Sequence, residues 1–196
     1  RIIEQSDFVN PEYVGSWGVS DEDLVIRSNQ EFKQYYKNNQ KFAAVMFSTS
    51  NHAPSDFPEE KIELVKGVKV KSVKNAIKYA DHAIGRFIKL ARQEEYYKDT
   101  IFVIAADHDV RVYGDDLVPV NRFHIPALIL GEGITPEKYE KIATQPDILA
   151  TSLDLIGIDI LSYPIQGHSI FSDKKQNIAL MQFNEDRKST RLNSSH

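Results

Sequence analysis

No cysteine occurs among the 196 residues. Disulfides and thiolate metal sites are therefore excluded. No apolar run approaches the roughly 18 residues needed to span a bilayer. No basic run is present either, and the formal net charge is −4. An acidic chain of this kind gives no reason to expect nucleic acid as a partner. Internal repeats and low-complexity segments are absent. The chain does not begin with Met and shows no targeting segment. Its last stretch, 186–196, reads as the in-frame translation of a sequencing adapter and is set aside as an artefact. Both ends of the natural protein are therefore expected to lie outside the chain. Without that tail, 24 basic and 28 acidic residues fall to 21 and 27, and the net charge goes from −4 to −6.

What remains suits one domain, or one large piece of a domain, over 1–185. Hydrophobic content is 41%, enough for a sizeable core. Residues 1–28 read as polar and irregular, and 30–37 as a short helix. Phe42 to Phe47 reads as a buried strand that ends in Ser48-Thr49-Ser50-Asn51-His52. Pro54, Asp56 and Pro58 mark a loop. A long helix is predicted from about Lys69 to Glu95, with Val73, Ile77, Ala80, Ile84, Phe87, Ile88 and Ala91 on its apolar face. Further strands are predicted at 101–106, 125–131 and 178–183. Between the last two, a helix opens at Pro146-Asp147 and stops at Gly157. Alternating strands and helices argue for α/β layers.

The richest chemistry follows the run Thr100–Ala106. Its β-branched, apolar composition suits a strand buried on both faces of a parallel sheet, and it stops at Asp107-His108-Asp109. Open α/β sheets place ligands beyond the carboxyl ends of their strands. A carboxylate and an imidazole together suit Mn²⁺ or Zn²⁺. Strand neighbours point to opposite faces, so both can reach one ion only if the chain turns here. A capping Asp beside a surface His is the alternative. Asp109 and Arg111 could line a pocket mouth, where a guanidinium fork suits phosphate; a plain surface ion pair is the other reading. Trp17 is read as pinning its loop, and His82, His124 and His168 as structural.

The segments SWGVSDEDL (16–24), FSTSNHAPSDFP (47–58), YADHAIGRFIKLARQEEYYKDT (79–100), TIFVIAADHD, RFHIPALILG, ATQPDILATSLDLIGIDI and GHSIF occur in this order. Together they resemble the C-terminal half of the alkaline phosphatase/sulfatase superfamily. The match is strongest to its lipoteichoic acid synthase-like branch, the membrane-anchored phosphoglycerol transferases. The resemblance covers roughly residues 12–184.

It implies a three-layer α/β sandwich with a mostly parallel central sheet, truncated on the N-terminal side. It also implies that Asp107 and His108 are metal ligands, with Mn²⁺ foremost and Zn²⁺ or Mg²⁺ as alternatives. The remaining ligands, a Glu and a nucleophilic Thr, would lie upstream of Arg1, so no nucleophile is assigned. His52 matches the His of an Asn-His-x-Pro segment that meets the substrate phosphate. An imidazole there can donate to a phosphoryl oxygen or to the leaving alkoxide. Asp109 departs from the commoner Asp-His-Gly pattern, and Asp81 is expected to cap or brace the long helix. The implied enzyme takes a phospholipid donor and a glycan or glycolipid acceptor and works through a phospho-Thr. It is held in a bacterial membrane by N-terminal helices, with its catalytic domain outside the cytoplasm and the present stretch a soluble part of it. A sulfate- or phosphate-ester hydrolase is the second enzyme reading. A binding domain that has lost catalysis is the reading of another class.

Overall fold

The computed structural model describes residues 1–109, 118–183 and 186–191. The chain divides into two compact units, Arg1–Asp99 and Thr100–His196. Among the described residues, no helix is long and apolar enough to cross a membrane.

The first unit opens with a short antiparallel hairpin, β1 (Val14–Gly15) and β2 (Gly18–Val19). Helix α1 follows at Asp21–Lys37, nine residues earlier than the sequence reading began it. The reason is a strong start signal. Ser20 caps the helix by accepting from the Asp23 amide at 3.1 Å, and three acids fill the first turn against the positive end of the helix dipole. Each acid also reaches elsewhere. Asp21 Oδ1 accepts from the amides of Thr49 and Ser50 at 2.8 and 3.2 Å. Asp23 accepts from the amides of Glu12 and Tyr13 at 2.9 and 3.1 Å. Glu22, whose side chain is 2% exposed, pairs with Arg86 and lies 3.5 Å from Lys61.

Helix α2 spans Val73–Ala91 and is capped by Ser72. It packs on α1, and its buried side is Ala76, Tyr79, Ala80, Ala83, Phe87 and Ala91, a face rich in small side chains. The predicted apolar face is thus only half right: Val73, Ile77 and Ile84 are exposed. Helical spacing alone does not say which of two adjacent apolar stripes meets a neighbour. Asp81 lies mid-helix and exposed, so it does not cap. Phe32 of α1 centres an aromatic cluster, stacked on Phe42 at 4.9 Å and edge-on to Phe87 and Tyr96 at 6.2 and 6.0 Å. Such pairs contribute about 0.5–1.5 kcal/mol each beyond their buried area. Burial pushes the Tyr79 phenol up to about 12.

The strand expected at 42–47 does not form. The segment has no ladder partner among the described residues, and Val45 and Phe47 are 82% and 76% exposed. An apolar run supplies one side of a ladder; a strand needs the other side too.

In the second unit, β3 (Phe102–Ala105) pairs with β4 (Ala127–Leu130), Phe102 opposite Leu130 and Ala105 opposite Ala127. The pairing is antiparallel, whereas the sequence suggested a parallel neighbour. Parallel pairing needs a crossover, usually helical. Between these strands the described residues form only a short 3-10 turn, Val120–Phe123. Nor is the ladder buried on both faces, since Val103 and Leu128 are 40% and 54% exposed.

Helix α3 spans Gln145–Leu155. Asp147 in its first turn accepts from the Thr144 amide and hydroxyl at 2.9 and 3.0 Å, at the helix start that Pro146-Asp147 marks in the sequence. The 167–170 segment lies along this helix. His168 N donates to Asp147 Oδ1 at 2.9 Å, Ile170 N to Thr151 Oγ1 at 3.0 Å, and Ser169 Oγ to Asp154 Oδ2 at 2.6 Å. Last comes the hairpin β5 (Ile178–Phe183) and β6 (Asp186–Arg191). β6 falls in the stretch read from sequence as an adapter translation.

Candidate functional site

The chain turns directly after β3, and the turn brings Asp107 and His108 together. His108 N donates to Asp107 Oδ1 at 2.9 Å, and His108 Nε2 lies 3.5 Å from Asp107 Oδ2. An ion held at about 2.1 Å from each atom in tetrahedral geometry would set them about 3.4 Å apart. The spacing therefore fits a shared ion. His108 Nδ1 is 2.7 Å from the Asp109 carbonyl oxygen, which can only accept. Nδ1 is therefore the donor, and in the neutral ring Nε2 keeps the lone pair a metal needs. Ligating histidines are commonly fixed in this way by their other nitrogen. Both side chains are open to solvent, at 75% and 67% exposure.

The carbonyl ends of this turn are held by a residue the sequence reading did not single out. Gln145, the first residue of α3, donates from Nε2 to Asp107 O at 2.7 Å and to Ala106 O at 3.4 Å. A glutamine at a helix start gives no sign of such a role in sequence. Among the described residues, no group of three or more His, Cys, Asp or Glu could hold a metal. The pair would therefore form part of a coordination shell. Arg111 lies outside the described residues. His124 is exposed, not the partly buried structural residue expected. His168 contributes its backbone amide to Asp147, in keeping with a structural role.

The second cluster lies in the first unit. His52, Trp17, Thr49, Ser16, Tyr13 and Asp56 line a shallow cleft between the β1–β2 hairpin and the 49–56 loop. The indole of Trp17 stacks on the His52 imidazole, with centroids 4.2 Å apart and planes at 25°. Its Nε1–H donates to Ala53 O at 2.8 Å, so Trp17 does pin the loop. Asp56 closes the other end. Its Oδ1 meets Lys71 Nζ at 2.7 Å, and its Oδ2 accepts from Ser16 Oγ at 2.5 Å and Ser16 N at 3.2 Å. The Lys71 ammonium, with Ser16, holds the Asp56 carboxyl down to about 2. The strand that was to present His52 is absent; the loop is carried instead by the Asp21 carboxylate and by Thr49 Oγ1, which donates to Val19 O at 3.2 Å. His82 lies 4.0 Å from the buried Glu22, a structural position.

A family profile described as Sulfatase matches residues 1–158. A lipoteichoic acid synthase-like protein of Bacillus subtilis is 24% identical over 208 residues, covering 92% of this chain and 32% of its own length. A phosphoglycerol transferase I of Xanthomonas axonopodis is 28% identical over 161 residues, covering 78% of this chain and 22% of its own. The chain thus spans about a third or less of these curated relatives. Among solved structures, a protein of the alkaline phosphatase superfamily from Vibrio parahaemolyticus matches with a TM-score of 0.90 and 41% identity, over 96% of this chain and 46% of that one. The lipoteichoic acid synthase LtaP of Listeria monocytogenes matches with a TM-score of 0.66 and 25% identity, over 79% of this chain and 43% of that one. The expected α/β fold of the alkaline phosphatase superfamily is therefore the fold of this chain, which belongs to the sulfatase family.

Proposed function

We propose that the chain is part of a metal-dependent, membrane-anchored phosphoglycerol transferase of the bacterial cell envelope. The enzyme would move phosphoglycerol from a phospholipid to a glycan or glycolipid acceptor through a phospho-Thr whose threonine lies outside these residues. The observation that carries this reading is the Asp107-His108 turn, with Nδ1 protonated on the Asp109 carbonyl and Nε2 3.5 Å from the carboxylate. Asp107 and His108 would hold a divalent ion, Mn²⁺ foremost and Zn²⁺ or Mg²⁺ as alternatives. When bound, such an ion supplies positive charge that stabilises a nucleophile and the phosphoryl oxygens. His52 would donate a hydrogen bond to a phosphoryl oxygen or to the leaving alkoxide. The relatives named as lipoteichoic acid synthases and phosphoglycerol transferases favour transfer over ester hydrolysis.

Titration of the chain with Mn²⁺, followed by paramagnetic broadening of its NMR signals, tests the metal reading. Weak but selective broadening around Asp107 and His108 is expected, abolished by Asp107→Asn and by His108→Ala. Two protein ligands leave an ion mostly water-coordinated, so affinity stays low and the chain alone should transfer nothing. Broadening spread evenly over the acidic surface would refute the metal assignment. Metal-dependent transfer by the isolated chain would mean that a complete catalytic set lies within 1–185.

A further inference from the structure

We propose that Trp17 is the positioning residue for His52: the indole, not a hydrogen bond, sets the direction in which the imidazole edge faces. This rests on the reading in which His52 meets the substrate phosphate. Among the described residues, no hydrogen-bond partner engages either ring nitrogen of His52, in contrast to His108, whose Nδ1 is fixed on a carbonyl. An unanchored imidazole on an exposed loop turns freely about its two side-chain torsions. Here one face is covered by the Trp17 ring at 4.2 Å. A face contact of this kind restricts rotation while leaving the ring edge free to meet a phosphoryl oxygen.

The indole is itself well placed to act as a fixed wall. Its Nε1–H holds the carbonyl of Ala53, the residue next to His52, so ring and backbone are gripped by one side chain. The hairpin turn that bears Trp17 is tied to the far end of the same loop by Ser16 and Asp56. Core packing does not account for the tryptophan, because it is 58% exposed. A large aromatic ring left that open, yet holding two points of one loop, is explained by what it does to the loop.

The test uses the whole chain, with glycerol phosphate as a soluble piece of the proposed headgroup. In the unaltered chain, the His52 ring protons should be shifted upfield by the indole ring current. Trp17→Leu should remove that shift and weaken glycerol phosphate binding about two- to tenfold, the range open to one aromatic stack. Trp17→Phe keeps a ring but loses the Nε1–H, and should retain part of both effects. In a His52→Ala background, Trp17→Leu should cause no further loss. Losses that multiply in the double variant, or a Trp17→Leu chain that binds normally while His52→Ala does not, would overturn the positioning role alone. Unchanged affinity in His52→Ala, or no binding by the unaltered chain, would overturn the phosphate reading and this inference with it.

Discussion

Gly167→Ala should be among the most damaging single changes in the second unit. Gly167 has φ of +95°, and a Cβ there would lie 2.5 Å from the Pro146 carbonyl carbon and 2.6 Å from its oxygen. Holding a non-glycine residue in that backbone region costs about 1–3 kcal/mol. The overlap must also be relieved. Comfortable contact lies near 3.5 Å, so the 167–170 segment has to back away from α3 by about 1 Å. That movement breaks the hydrogen bond from His168 N to Asp147 Oδ1, a bond to a charged acceptor worth about 1.5–3 kcal/mol. The two costs together come to about 2.5–6 kcal/mol, a large share of the roughly 5–15 kcal/mol that holds a domain folded. Urea denaturation followed by circular dichroism would measure the loss. Hydrogen exchange at the His168 and Ile170 amides would locate it. Stability within about 1 kcal/mol of the unaltered chain, with both amides still protected, would refute this account of the packing.

Gln145→Ala removes the side chain that bonds Asp107 O and Ala106 O, and should lower Mn²⁺ affinity roughly tenfold while leaving helix content unchanged. Equal affinity would show that the turn is held by other means. The Asp56 carboxyl, depressed from 3.8 to about 2, contributes stability that is present above its ordinary value and lost as pH falls from about 4 towards 2. Trp17 is the one tryptophan of the chain, so its emission reports this loop directly. A change in emission over that window, absent in Asp56→Asn, is expected; the same change in the variant would remove Asp56 from the account.

Where the sequence was readable, local chemistry was the reason. Pro146 and Asp147 mark a helix start in adjacent residues, and α3 begins there, with Thr144 as its cap. Ser20-Asp21-Glu22-Asp23 carries a start signal as plain, and α1 begins there and not at 30. The Asp107-His108 turn could be placed after its strand because the apolar run stops there. The direction of that strand's neighbour could not, since an apolar run reads alike in parallel and antiparallel ladders. The segment 42–47 failed for a related reason: pairing is a property of two segments, and only one was in view. Gln145 and the Trp17–His52 stack had no local signature, because their partners lie 38 and 35 residues away in the chain.

The first turn of α1 has a consequence for how the first unit comes apart. Asp21, Glu22 and Asp23 are neighbours in sequence, yet they bind the 12–13, 49–50 and 86 positions, the last 64 residues distant. Every one of those bonds requires its own loop to be closed, and a closed loop is rewarded only when the turn itself is helical. The turn in turn gains its stability from the bonds. Neither α1 nor α2 can therefore melt alone at modest cost. Opening either one releases the hairpin, the His52 loop and the partner helix together, so residues 1–99 should exchange their core amides as one cooperative block. A cleavage between α1 and the 49–50 segment, or a truncation that spares only one helix, would yield unfolded pieces with no smaller domain inside them.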